Sequence, residues 1–498
     1  MTARNFLAFD LGAESGRAML GAFDGDKLHL TEAHRFANKP VRAGGHLRWN
    51  VLSLWDEMLA GLRKVVVEVD AVASLGVDTW GVDFALLDAQ GELIGNPVHY
   101  RDARTNGLLE DAIAQVGRER IFNDTGIQFM QFNTLYQLYA MTQSMSPALD
   151  IAHTLLMMPD LLHYWFTGVR ACEFTDATTT QFYNPRAGDW ARSLLDDLGI
   201  PSHFLAGIVQ PGTNIGALLP AISKVTGGSA LRDTRVIVPA THDTGSAVAG
   251  VPMRSSRSAY ISSGTWSLMG ALSPQPIVTP QALQFNFTNE GGVNGTFRVL
   301  KNIMGMWLVQ ECRRRWAGPN GEMLPYGELF ALAERAPAFA TLIDPDHPSF
   351  LAPDDMPAAI RAYCESTQQL PPGGMASTAR CILESLALKY RATLTQLEQL
   401  LGHEVDCIHI VGGGSQNALL CQFTANACNR PVLAGPVEAT AIGNVLVQMA
   451  ALGELASMDD AGEVVRRSFP LTEYQPQDVS QWLEANECFI ALMKHPAV

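Results

Sequence analysis

The stretch Phe6-Leu7-Ala8-Phe9-Asp10-Leu11-Gly12-Ala13-Glu14-Ser15-Gly16-Arg17 decides the architecture. Phe6 to Leu11 reads as a buried strand, Gly12 to Gly16 as a small turn, and Arg17 to Phe23 as a second strand. Lys27 to Phe36 reads as a third, after a hairpin signal at Asp24-Gly25-Asp26. The turn lacks the lysine of a P-loop and leads into a strand rather than a helix. It also lacks GxGxxG spacing, which disfavours a nicotinamide-dependent oxidoreductase. Gly12 and Gly16 let backbone N–H groups approach an anion, with Ser15 as a hydroxyl donor and Arg17 as a bidentate one. Asp10, at the strand end, can hold Mg2+ through water. Taken alone, the segment also reads as an ordinary hairpin with a solvated arginine.

Outward from that turn, helical periodicity runs from Leu54 to Val69, and Ser74–Asp78 and Phe84–Leu87 read as strands. The second half restarts in the same order. Ser258 to Ser262 is a strand, Ser263-Gly264-Thr265 a turn and Trp266 to Leu272 a strand. A long helix (Ala379–Leu401), a strand (Ile408–Val411), a Gly412-Gly413-Gly414 turn and a helix from about Gln416 to Ala427 follow. Val437 to Leu452 forms another helix. The halves share element order without sharing letters, so the expectation is a duplicated α/β architecture with a cleft between the copies. The division falls at residue 250, giving domains 1–250 and 251–498, with Gly250 to Ser256 as hinge. Pro345 to Pro357 and Pro371-Pro372-Gly373-Gly374 read as surface loops.

At 498 residues the chain is long enough for two cores. A formal net charge of -15 argues against nucleic-acid or anionic-membrane binding. It leaves phosphate ligands open, since backbone N–H groups can bind them in an acidic protein. The eight cysteines include no CxxC pair and read as reduced buried thiols. Neither a signal-peptide h-region nor an apolar run of transmembrane length is seen, so a cytoplasmic protein is expected.

Thr241-His242-Asp243-Thr244-Gly245-Ser246 follows the apolar run Val236-Ile237-Val238 and precedes a small-residue helix, Ala247 to Gly250. That order sets Asp243 just past a strand, at the start of a helix, where rigid elements can aim its carboxylate. Such a group suits a general base for a hydroxyl proton; a helix cap is the plain alternative. Ser262 to Ser267 is a hydroxyl-rich turn able to cradle part of a polyphosphate. Gly412–Gly414 opens towards a helix and suits adenine or ribose. Gly81, in Thr79-Trp80-Gly81-Val82-Asp83, permits close backbone approach to a substrate, while Trp80 reads as core. Asn302 and Gln310 flank a helical-looking Ile303 to Val309. His99, Arg101, Asp102 and Arg104 form a polar loop, either substrate-facing or an ion-paired surface.

Together these turns resemble the FGGY carbohydrate kinases. The resemblance implies two actin-like, ribonuclease H-like ATPase domains with an active site in the cleft, and ATP and Mg2+ as cofactors. It implies Asp243 as the general base, and His242, Thr244, Gly81 and Asn302 as sugar contacts. Ala13, Glu14, Ser15, Gly16 and Arg17 are implied as the phosphate loop, with Thr265, Gln310 and Gly413 as further ATP contacts. An acidic Glu14 beside polyphosphate must point away or face Mg2+. Three further stretches, Gly76–Phe84, Asn96–Thr105 and Val299–Gly305, extend the resemblance over almost the whole chain. They imply O1 of L-rhamnulose as phosphoryl acceptor, with L-fuculose and L-ribulose as alternatives. A non-catalytic sugar or nucleotide sensor on the same fold is the alternative outside the enzymes, and the intact Asp243 and turns argue against it. The implied partners are a small sugar and ATP, with the protein a monomer or small homo-oligomer.

Overall fold

A computed structural model describes residues 3–227, 229–318 and 320–494. Packing divides the chain discontinuously. One unit takes Met1–Pro252, Leu272–Val299 and Ala439–Phe469; the other takes Met253–Ala271, Leu300–Glu438 and Pro470–Val498.

The first unit is built on six strands: β1 (Arg4–Leu11), β2 (Ser15–Phe23), β3 (Leu28–Ala37), β4 (Ser74–Thr79), β5 (Asn214–Ala217) and β6 (Arg235–Ile237). Their order is β5-β6-β4-β1-β2-β3. The expected hairpin is present, with β1 antiparallel to β2 and Asp10 opposite Arg17. β4 joins β1 in parallel, as a crossover through helix Val51–Glu68 requires. β1 is apolar on both faces because both are covered. Phe6, Ala8, Met19 and Phe23 pack on Ile442, Val445, Leu446 and Met449 of helix Ala439–Ala451. Beneath that layer Ser74 donates to Gln448 Oε1 (2.7 Å), and Gln448 donates to the Leu7 carbonyl (3.0 Å) and Asn444 Oδ1 (2.7 Å). Phe84–Leu87 is a strand, but it pairs with Thr154–Met157 outside the main sheet.

The second unit repeats the plan with β7 (Ser258–Ser263), β8 (Trp266–Ser273), β9 (Phe297–Met304), β10 (Cys407–Val411), β11 (Val432–Ala434) and β12 (Thr472–Tyr474). The order is β9-β8-β7-β10-β11-β12, with Thr288–Gly291 as a seventh strand outside β9, and β7 is antiparallel to β8 and parallel to β10. In each unit a further parallel strand and an antiparallel edge strand complete the far side. The duplication is therefore in topology, as the element order predicts. Unit boundaries fall within β8 and β9.

Helix Met375–Leu401 starts one turn before the expected Ala379. Gly413–Gln416 is a 3-10 turn, and the following helix begins at Ala418 with Asn417 Oδ1 accepting from Leu420 N at 3.1 Å. The stretch Pro345 to Pro357 is not loop throughout. Met356-Pro357 opens helix Met356–Ser366, where proline is tolerated because a first-turn N–H has no helical partner. All eight cysteines are free and only Cys488 is exposed. Among the described residues no helix is long and apolar enough to cross a membrane.

Candidate active site

In the first unit the ends of β1 and β4 lie beside the Thr241–Thr244 segment. Thr79 N–H donates to the Thr241 carbonyl at 2.9 Å, carrying the sheet edge onto the helix Asp243–Ala249. His242, not Asp243, is the N-cap residue of that helix, and no side chain caps it. Among the described residues Asp243 Oδ1 accepts from its neighbour Thr244, through N (2.6 Å) and Oγ1 (3.2 Å). The carboxylate thus takes one first-turn N–H of the helix from the first helical position rather than from the N-cap. Its side chain keeps 31% of its surface open. Burial, together with the Asp10 carboxylate, raises its pKa, while His242 opposes the rise.

Asp78 lies fully buried at the end of β4 and accepts from Asn444 Nδ2 at 2.6 Å; its Oδ1 has no partner. Burial and the nearby Asp10 and Asp243 carboxylates hold it protonated well above the usual carboxylate range. Arg17 pairs with Asp10 across the hairpin. The turn between them is tight. Gly12 N–H donates to the Ser15 carbonyl (2.9 Å), and Asn38 straps the loop through the Gly12 and Glu14 carbonyls (2.9 and 3.0 Å). Glu14 is exposed, while Ala13 and Ser15 are half-buried. Gly16 is buried where a Cβ would overlap the Phe36 ring, so packing alone demands glycine there.

His242 is fixed from behind by residues that sequence reasoning missed. Its Nδ1 lies 3.2 Å from Glu290 Oε2 and 3.1 Å from Arg298 Nη2, while its Nε2 lies 3.5 Å from Asp243 Oδ1. Arg298, fully buried, pairs with Glu290 at 3.1 Å and donates to the Gly291 carbonyl at 2.7 Å. Burial alone would raise Glu290, but Arg298 and His242 hold it below its ordinary value. The available signal was a charge inside the apolar run Phe297-Arg298-Val299-Leu300. The backbone of the segment is held by Glu173 Oε2, which accepts from Thr241 N (3.1 Å) and Oγ1 (2.7 Å) and from Thr175 Oγ1 (2.5 Å). Thr175 Oγ1 in turn accepts from His242 N at 3.1 Å.

Gly81 packs against Thr179, whose hydroxyl accepts from Val82 N at 3.0 Å. Val82 takes a left-handed φ of 67°, unusual for a β-branched residue, and its carbonyl accepts from Thr134 at 2.6 Å. Trp80 is core, as expected, and donates to Asp83 Oδ2 at 3.1 Å. The polar loop is neither purely substrate-facing nor surface: His99 is buried on Trp49, and Asp102 accepts from Leu47 and Arg104 backbone N–H groups.

In the second unit Thr265, the Gly412–Gly414 segment and the helix bearing Gln310 meet around one turn. Ser263 meets Gly414, where a Cβ would overlap the serine side chain. Gly412 has a left-handed φ of 79°, whereas Gly413 is exposed with open space around it. The Gly264 and Thr265 carbonyls accept from Met306 and Trp307 N–H (both 3.1 Å), docking helix Trp307–Arg315 on the turn. Gln310 follows one turn along, with Oε1 buried and unpartnered. Asn302, half-buried, stands on β9 of the same unit.

Among the described residues no cluster of three or more metal-ligating side chains is found. A Mg2+ ion needs fewer, because it keeps most of its water. The orphaned Asp78 Oδ1 and the mutual repulsion of Asp10, Asp78 and Asp243 fit such a cation.

Two family models match the chain: the FGGY family of carbohydrate kinases, N-terminal domain, over residues 5–250, and its C-terminal domain over 259–452. A rhamnulokinase of Bacteroides thetaiotaomicron is 44% identical, covering 96% of this chain and 97% of that protein. A rhamnulokinase of Pectobacterium atrosepticum is 45% identical over 97% of this chain and 95% of its own length. Among solved structures, a gluconate kinase from Lactobacillus acidophilus superimposes with a TM-score of 0.81 at 16% identity, covering 99% of this chain and 98% of that one.

Proposed function

The chain belongs to the FGGY family of carbohydrate kinases, and from that premise we propose that it transfers the γ-phosphoryl group of ATP to O1 of L-rhamnulose, giving L-rhamnulose 1-phosphate and ADP. The observation that carries the reading is Asp243: a partly open carboxylate of raised pKa in the first turn of a helix at a strand–helix junction.

In this reading residues 1–250 supply most sugar contacts, the phosphate loop and the base, and residues 251–498 supply the nucleotide contacts. Gly81, His242 and Thr244 orient the sugar, with Asn302 as a further contact. Asp243 accepts the O1 proton as the O1–Pγ bond forms and the bond from Pγ to the β-phosphate oxygen breaks, releasing ADP. Arg17, exchanging Asp10 for the polyphosphate, and the Ala13–Gly16 turn neutralise charge on the transferring group. Thr265, Gln310 and Gly413 hold the nucleotide. Mg2+, held by Asp10 with Asp78 nearby, would supply further charge neutralisation when bound.

The test is ADP release from ATP and Mg2+ with L-rhamnulose, L-fuculose, L-ribulose and glycerol in parallel, alongside Asp243→Asn. Preference for L-rhamnulose, reduced roughly 10²–10⁴-fold in the variant, is the expected outcome. Preference for another ketose would overturn the substrate while leaving the base. Absence of sugar-dependent turnover with ATP still bound would favour a sensor.

A further inference from the structure

A cavity of about 600 Å³ lies within the first unit, lined by residues between 46 and 148. Arg104 of the polar loop lines it, whereas Ala13–Arg17, Gly81, His242, Asp243 and Thr244 do not. Its apolar wall includes Phe84, Leu86, Ile94 and Met141, and Arg48 and Arg104 line it from the polar side. The volume falls in the range of small-molecule sites.

The two arginines are the informative feature. Arg48 donates through Nη1 to the Asn96 carbonyl (2.8 Å), and Arg104 through Nη2 to Gln137 Oε1 (2.6 Å). Both acceptors are neutral. Arg104 Nε is buried with no partner. Burial pushes Arg104 down to about 10 against the Asp83 and Asp102 carboxylates, which raise it, and the charge on Arg48 adds to the fall. Asp83 and Asp102 are near Arg104 but committed elsewhere. Asp83 accepts from Trp49, Trp80, Gln137 and Tyr100 N–H, and Asp102 from His46, Leu47 and the Arg104 backbone N–H. Among the described residues neither guanidinium has a carboxylate within ion-pair distance. Two guanidiniums beside a cavity, hydrogen-bonded through their terminal nitrogens to neutral acceptors and one of them with an unpartnered buried Nε, present donors for a ligand's anionic group.

We propose that this cavity binds a small organophosphate, with the phosphate on Arg48 and Arg104 and a compact hydroxylated or apolar body along the Phe84–Leu86 wall. A bare phosphate would leave most of the volume unused. Arg104 also connects through Gln137 to the Val82 carbonyl and Asp83, so an occupant bears on the turn that carries Gly81.

The experiment is calorimetric titration of the full chain with D-fructose 6-phosphate, D-glucose 6-phosphate, inorganic phosphate and uncharged D-fructose. It is repeated on Arg48→Gln and on Asp243→Asn, with circular dichroism melts to confirm folding. The expected result is binding of a sugar phosphate at least tenfold tighter than inorganic phosphate, none of fructose, a tenfold or greater loss in Arg48→Gln, and retention in Asp243→Asn. Arg104→Lys, which keeps the charge but not the fork, should weaken binding less than Arg48→Gln. No binding of any phosphate, equal binding by wild type and Arg48→Gln, or inorganic phosphate binding as tightly as the esters would each overturn the proposal.

Discussion

Gly443 lies directly against the backbone carbonyl of Ser246, so closely that a Cβ at 443 would overlap the oxygen. The contact joins helix Ala439–Ala451 to the helix that begins with Asp243, and Gly250 repeats it against the Ala439 carbonyl. Backbone cannot move aside as a flexible side chain does. Gly443→Ala should therefore destabilise the first unit by about 1–3 kcal/mol or more and misplace Asp243. Urea unfolding and turnover check this; wild-type values for both would show that the helices separate without consequence.

Asp243 must be ionised to accept a proton, and burial with the Asp10 carboxylate raises its pKa. Turnover should fall as pH drops through that raised value, placing the acid limb above the ordinary value of an aspartate. A kcat profile on wild type and Asp243→Asn reads it. The limb should vanish in the variant, and a limb unchanged there would assign it to another group.

Arg298 is fully buried and Glu290 is its carboxylate partner. Glu290→Gln leaves a buried guanidinium without a counter-charge, which costs roughly 3–5 kcal/mol. It also removes the carboxylate charge beside His242 Nδ1, so KM for the sugar should rise. Arg298→Met combined with Glu290→Gln should recover stability relative to the single variant without restoring the sugar KM. Thermal melts and sugar titrations separate the two effects.

Gly12 and Gly16 distinguish ligand approach from packing within one turn. A Cβ at Gly12 meets only the Ser15 carbonyl at 3.5 Å, an ordinary contact, whereas at Gly16 it overlaps Phe36. Gly12→Val should keep the melting temperature and lower ATP affinity. Gly16→Val should lower stability first. Unchanged ATP binding in Gly12→Val would remove the turn from the nucleotide site.

Asp83 is raised to about 6 by burial, against the opposing hydrogen bonds from Trp49, Gln137 and Trp80. Between its unfolded and folded pKa the native state holds the extra proton. Its contribution to stability is fully present below the unfolded value and is lost as pH rises from about 4 to about 6, by roughly 3 kcal/mol. Denaturant midpoints across that window should show the decline in wild type and its absence in Asp83→Asn.

Local pattern carried much of this protein. The strand–turn–strand at Phe6–Phe23, its counterpart at Ser258–Leu272, and the position of Asp243 at a strand–helix junction are set by nearest neighbours. Alternation, turn residues and apolar runs encode such features within a dozen positions. The helix at Met356 was missed because its prolines look like loop punctuation, although proline suits a first helical turn.

What only tertiary structure decided is which distant residues complete these local pieces. Asn444 meets Asp78, Gly443 admits Ser246, and Glu290 with Arg298 stands behind His242. Segments 272–299 and 439–469 join the first unit from far along the chain, so no window of sequence holds both halves of any such contact. A buried charge or a helical glycine has no local signature of its purpose. Its partner is chosen by the packing of sheets and helices, where an unpaired charge or an added methyl costs more than local propensity can offset.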